Sequence, residues 1–407
     1  MLVCSIRRND YPSIGGFFLL LALLPLLLTC SSPVQPLFIG LSAPETGAWV
    51  EGVIPVTANV GAGGSFTRFE LLVDGQVVAT ANTSAVPHTF LWDTRATAPD
   101  STAPTQHTVQ VRGHTSDDRQ KETNLLSVFV LHPKRLTVTP DIDIQPEWSH
   151  DGTKIIFKSN RLSPDPVQSF KIYTMTATGV NQTQIVTDRD YHGYPDWSPD
   201  ETQVVFNSFD PGNSDVFTAS VATGVSRQIT ADASFDDSGR WSPDGTRIVF
   251  FSTRTGSSEL YLAPVTLDGA PNGSLVRLTT NTIRDEQPRW APDGTRLVFE
   301  SNRTGQMKVY TLPAAGGGAT QITNASTGAD GYPNWSADSR YLTFDSESND
   351  NRDLYLIPAS GGTPRRITWD SAYDEHPSWS PDGRKIAFAS NRSGNMDIWI
   401  VEIPPVP

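Results

Sequence analysis

Six versions of one pentapeptide decide how this chain is read: Trp148-Ser149-His150-Asp151-Gly152, Trp197-Ser198-Pro199-Asp200-Glu201, Trp241-Ser242-Pro243-Asp244-Gly245, Trp290-Ala291-Pro292-Asp293-Gly294, Trp335-Ser336-Ala337-Asp338-Ser339 and Trp379-Ser380-Pro381-Asp382-Gly383. The tryptophans recur at gaps of 49, 44, 49, 45 and 44 residues. Nine residues after each stands a phenylalanine: Phe157, Phe206, Phe250, Phe299, Phe344 and Phe388. Two further on is always a serine, from Ser159 to Ser390, and later comes an aromatic: Tyr173, Phe217, Tyr261, Tyr310, Tyr355 or Trp399.

The spacing has a mechanical meaning. A first strand, A, carries the tryptophan, and Pro-Asp-Gly is a tight turn in which glycine takes the positive φ. Strand B follows with the phenylalanine and strand C with the late aromatic. Strand D ends in pairs such as Ile229-Thr230, Leu278-Thr279 and Ile367-Thr368. Four strands per 44–49 residues make one blade of a propeller.

The last repeat stops after Ile400-Val401-Glu402-Ile403 without a strand D of its own. Arg135-Leu136-Thr137, ahead of the first tryptophan, has the strand-D pattern and no earlier blade to serve. It is therefore expected to complete blade six beside residues 397–403, hiding an unpaired edge. The repeats resemble the TolB-type, WD-like propeller repeat, a resemblance that covers residues 134–407. It implies the fold and a periplasmic setting, and leaves the partner unspecified. The α/β domain that TolB carries ahead of its propeller has no counterpart here.

Residues 40–133 alternate in the β manner, through Val53–Ala58, Phe66–Val73, Val77–Ala79, His88–Trp92, His107–Val111 and Leu125–Leu131. Asp74-Gly75 between two apolar runs is a hairpin signal. Ser42-Ala43-Pro44-Glu45-Thr46-Gly47, Phe69 to Gly75 and Leu91-Trp92-Asp93-Thr94 resemble bacterial Ig-like domains, which implies a spacer. The fold class is therefore all-β, an Ig-like β-sandwich followed by a six-bladed β-propeller closed by an N-terminal strand.

Residues 1–29 read as a signal peptide, with Arg7 and Arg8 ahead of the apolar run Gly15–Leu28. Leu27-Leu28-Thr29-Cys30 resembles a lipobox, which implies cleavage before Cys30 and its lipidation, with residues 30–39 as tether. Thr29 departs from the small residue usual there. Cys4 and Cys30 are the two cysteines, so the cleaved chain keeps one and forms no internal disulfide. A formal charge of −13 disfavours nucleic acid and anionic membrane surfaces. The expected setting is the cell envelope, with a membrane contact through the lipid and an envelope protein or glycan as partner.

Positions that repeat in every blade are architectural, and positions that break the pattern are candidates for function. Five residues before the tryptophan stand Asp143, His192, Asp236, Asp285, Asp330 and Asp374; thirteen after it, Arg161, Arg254, Arg303 and Arg392 occur in four blades that also hold the aspartate. Each such pair, Asp143 with Arg161, Asp236 with Arg254, Asp285 with Arg303 and Asp374 with Arg392, is expected to tie the D–A loop to the B–C loop. The alternative is an acidic ring holding a cation or a basic partner.

His192, Tyr194, Asp237, Glu286, Tyr332, Glu375 and His376 are expected to gather at that mouth of the channel. Facing carboxylates there would suit calcium or another divalent cation, and the histidines a transition metal. No Gly-x-Ser-x-Gly elbow, His-Glu-x-x-His helix or phosphate-binding glycine loop occurs. The reading is a non-catalytic binding protein. The alternative is a metal-dependent polysaccharide lyase or hydrolase working in the channel mouth.

Overall fold

The computed structural model describes residues 39–61, 65–97, 102–161, 170–189, 192–210, 213–324, 328–348 and 351–406. The signal peptide, Cys30 and most of the tether lie outside them. The described chain is all-β apart from one 3-10 turn, Thr94–Thr97. None of its helices is long and apolar enough to cross a membrane.

The first module is a sandwich of a three-stranded sheet (Ile39–Ala43, Val53–Val60, His88–Asp93) on a larger one built around Phe66–Val73 and Thr105–Thr115. Alternate residues of both sheets, among them Ile54, Val56, Phe69, Leu71, Trp92, Val109 and Val111, form its core. Sequence alone missed the first strand, Ile39–Ala43, and the short strands Trp49–Val50 and Gln120–Glu122. These are edge elements too short to show a period.

Six four-stranded sheets follow, each an antiparallel A-B-C-D meander. In the first, Asp143–Trp148, Lys154–Ser159, Lys171–Thr176 and Thr183–Gln184 are A to D. The sixth takes its outer strand from the start of the propeller, with Lys134 opposite Ile400 and Arg135 opposite Trp399. The D strands are short and stop before the Ile-Thr or Leu-Thr pair that was expected to end them. The threonine instead turns inward. Thr230, Thr279, Thr323 and Thr368 each accept a hydrogen bond from a strand-C amide.

Blades are held together by apolar side chains and by the tryptophans. Trp290 packs with Val249, Leu262, Leu297 and Phe299 from two neighbouring blades. A cation of the preceding blade covers several indoles: Arg247 lies 4.9 Å from the Trp290 centroid and Arg296 4.7 Å from that of Trp335.

Every strand A also carries a bulge. Its register slips between the fourth residue before the tryptophan and the first, as from Glu286 to Arg289. The bulged residues Gln145, Tyr194, Ser238, Gln287, Tyr332 and His376 all have φ between 47° and 57°. Such a conformation is costly for Tyr and His. Its recurrence in all six blades makes it part of the architecture.

The sandwich docks on blades five and six. Trp49 and Leu131 join the cluster of Leu354, Leu356, Ile367, Val401 and Ile403, and Arg365 lies over the Trp49 ring at 4.9 Å. Glu51 pairs with Arg392, whose Nη2 also reaches Asp374 at 2.8 Å.

Candidate functional site

The aspartates expected in the D–A loops are the first residues of the A strands: Asp143 sits opposite Ser159 and Asp236 opposite Ser252. Their carboxylates are fully buried, which draws them into the blade. Arg161 reaches Asp143 at 2.7 Å, Arg254 reaches Asp236 at 2.8 Å, Arg303 reaches Asp285 at 2.8 Å and Arg392 reaches Asp374 at 2.8 Å. Each guanidinium also bonds the invariant serine and lies over the Phe and Tyr or Trp rings of its blade. Blade five has no such arginine. There Lys308, from blade four, reaches Asp330 at 3.2 Å.

His192 was expected at the channel mouth and is not there. It occupies the aspartate position of blade two, fully buried and edge-on to Phe206 at 5.0 Å. The side chain at this position faces the blade interior.

The other candidates do meet inside the channel. The bulges bring Tyr194 and Tyr332 into parallel contact at 6.5 Å, and Tyr332 lies 4.1 Å from His376. The bulge amides are capped by neighbouring blades. Tyr194 N donates to Gln145 Oε1 at 2.8 Å, Tyr332 N to Glu300 Oε2 at 3.0 Å and His376 N to Asp345 Oδ2 at 3.2 Å. Gly193 and Gly331 leave the space that Asn207 and Glu300 fill: a Cβ on either would stand 2.7 Å or 2.9 Å from those side chains.

The carboxylates are not a bare acidic ring. Glu286 accepts from Arg284 at 2.7 Å and from Ser258 at 2.7 Å. Asp237 accepts from Asn207 at 2.7 Å and Ser214 at 3.1 Å. Glu375 faces Arg352 at 3.6 Å and His376 at 3.3 Å. Among the described residues no three His, Cys, Asp or Glu side chains converge as a metal-ligating group.

Sequence reasoning missed the part of this cluster that comes from strand B. Lys158, Asn207, Glu300 and Asp345 stand between the phenylalanine and the serine of their blades and point to the same channel. The signal was that this one position varies while both its neighbours repeat. Burial shifts these groups. It brings Lys158 down to about 8, Asp237 up to about 6 and Glu300 up to about 7, and raises Asp345 well above the usual range. Burial also pushes Glu375 up, but the charges of His376, Arg352 and Lys158 outweigh it and hold the carboxyl low.

The model of the TolB beta propeller domain matches residues 163–327 and 321–404, more than half of the chain.

This chain belongs to the TolB beta propeller family.

The bacterial Ig domain model matches residues 38–119. A protein of Agrobacterium tumefaciens assigned to TolB superposes with a TM-score of 0.52 at 19% identity, covering 74% of this chain and 100% of its own. TolB from Acinetobacter baumannii gives 0.52 at 16% identity, covering 85% and 83%. An oligogalacturonate lyase from Vibrio parahaemolyticus gives 0.47 at 13% identity, covering 74% and 97%. A search of curated proteins finds no match. At these identities the structural likeness concerns the TolB fold alone.

Proposed function

We propose that this TolB-type propeller is a non-catalytic, exported, lipid-anchored envelope protein that binds a protein or glycan through the face formed by its D–A and B–C loops. The observation that carries the reading is apolar exposure on that face. The residue six before the tryptophan is Ile142, Phe235 and Tyr373 in blades one, three and six, and these are 36%, 39% and 49% exposed. Aromatic side chains left in water around a polar centre are what a recognition surface presents.

Glu286 pairs with Arg284, which holds the same position in blade four, and Glu375 faces Arg352. The test is Phe235→Ser with Tyr373→Ser, compared with wild type in capture from envelope extract and on a glycan array. Loss of bound material with an unchanged Tm supports the reading. An identical set of captured species counts against it.

One observation favours the alternative, a metal-dependent polysaccharide lyase or hydrolase. Lys158, Asp237 and Glu300 share one channel and are shifted by burial to about 8, 6 and 7, which makes them the candidate proton-transfer groups of that reading. Metal analysis of purified protein, with a polysaccharide degradation assay before and after chelation, separates the two. Stoichiometric calcium or transition metal together with chelator-sensitive cleavage would establish the alternative.

A further inference from the structure

The opposite end of the channel, on the A–B turn side, holds a cavity of about 360 Å³. Its walls are Trp148, Trp241, Trp290, Trp335 and Trp379. Its floor comes from residues just before the tryptophans, Glu147, Asp196, Arg240, Arg289 and Asn334. With Ser378, which bonds Glu147 from blade six, the ring in blade order is two acids, then two arginines, then two neutral groups.

One acid and one arginine cancel. Arg289 spans the channel to Glu147, which also accepts from Ser378 at 3.0 Å and Asn334 at 3.3 Å. Asp196 and Arg240, side by side in blades two and three, attract each other across the gap but form no direct ion pair or hydrogen bond. Asp196 accepts one backbone hydrogen bond, from Trp241 N at 2.9 Å. Arg240 is 5% exposed, and its Nη1 donates to the carbonyls of Tyr194, Pro195 and Gly239 at 2.7, 3.2 and 3.2 Å. Its Nε has no acceptor. Among the described residues no carboxylate lies within ion-pair distance of either guanidinium nitrogen of Arg240 or of Nε, although buried charges are normally paired.

We propose that this cavity binds a free α-amino acid, with its carboxylate on Arg240, its ammonium on Asp196 and its side chain among the tryptophans. The two charges of an α-amino acid are carried by groups on one carbon, a few ångströms apart, as Asp196 and Arg240 stand in adjacent blades. The ring as a whole is neutral, so a neutral zwitterion leaves no net charge in a low-dielectric site. A simple carboxylate would add an unbalanced negative charge beside Asp196 and Glu147. The aromatic walls and the volume fit one small ligand with an apolar body. This site lies at the other end of the channel from the proposed partner face and does not depend on it.

The test uses the whole protein and the twenty standard L-amino acids, by thermal shift and then by calorimetry. At least one apolar or aromatic amino acid is expected to raise the Tm and bind. Its N-acetyl and its carboxamide derivatives are each expected to bind about tenfold or more weakly, as are Arg240→Gln and Asp196→Asn with the unmodified amino acid. Absence of binding by any of the twenty overturns the proposal. So does equal affinity for the free, acetylated and amidated forms. That comparison is made on the wild type and stands even where a variant fails to fold.

Discussion

Arg135, two residues into the propeller, forms an ion pair of 2.7 Å with Asp397 in its last strand. The same contact joins strands D and C inside two other blades, Arg277 with Glu259 at 3.1 Å and Arg366 with Asp353 at 2.6 Å. In all three the arginine Nε also donates to the carbonyl of the threonine two residues on. Thr137 then repeats the blade pattern. It donates to Asp397 at 3.2 Å and accepts from Ile398 N at 2.9 Å.

The two ends of the propeller chain therefore share one sheet, and loss of the first strand is expected to unravel the ring. Deleting residues 134–138 should lower the Tm of the whole propeller, followed by circular dichroism, because it uncovers an edge and the Ile398–Ile400 face. The milder Thr137→Val should cost about 1–3 kcal/mol, the penalty of leaving the buried Ile398 amide and one oxygen of Asp397 without their hydrogen bonds. A Tm unchanged by the deletion would refute the shared sheet.

Arg392 holds two buried carboxylates, Asp374 within its blade and Glu51 from the sandwich. Its side chain is 8% exposed, against 20% for Arg254 in the equivalent pair of blade three. Arg392→Met should therefore destabilise by about 3 kcal/mol or more, and Arg254→Met by less. Limited proteolysis should also release the sandwich from the propeller in the first variant and not in the second. Equal losses in both would show that Glu51 contributes nothing to the junction.

Burial raises Glu300 to about 7 and Asp237 to about 6, from 4.5 and 3.8. A carboxyl raised on folding binds its proton more tightly in the folded state. Its stabilising share is full below the unfolded value and is lost as the pH rises through the folded one. The wild type should therefore lose stability between about pH 3.8 and about pH 6 through Asp237, and between about pH 4.5 and about pH 7 through Glu300. Glu300→Gln keeps an acceptor for the Tyr332 amide and removes the titration. Its urea midpoint should fall less over that range than that of the wild type. Parallel curves for the two proteins would remove Glu300 as a contributor.

Cys30 is expected to be the first residue of the mature chain and to carry acyl groups, each buried CH₂ adding about 0.8 kcal/mol of membrane affinity. Mass spectrometry of the protein purified from membranes should show a lipidated N-terminal cysteine. Cys30→Ser should partition into the aqueous phase of a detergent separation. Equal partitioning of wild type and variant would rule out the anchor.

The sequence by itself determined what is periodic. The tryptophans at 44–49 residue spacing, the Phe-x-Ser of strand B and the strand-D pattern of Arg135-Leu136-Thr137 were enough for six blades and a shared last sheet. Repetition makes such features readable, because each blade must bury the same face against its neighbour. The sequence also marked Tyr194, Tyr332 and His376 as varying channel residues, but the tertiary structure alone decided how they enter the channel and which other side chains join them. The bulge turns Tyr194, Tyr332 and His376 inward through a left-handed residue that no local pattern announces. Lys158, Glu300 and Asp345 reach the same space from other strands, and His192 does not. Across the axis, Glu147 meets Arg289 from a blade far along the chain. Closure of the ring sets these distances, and closure depends on all six sheets packing at once.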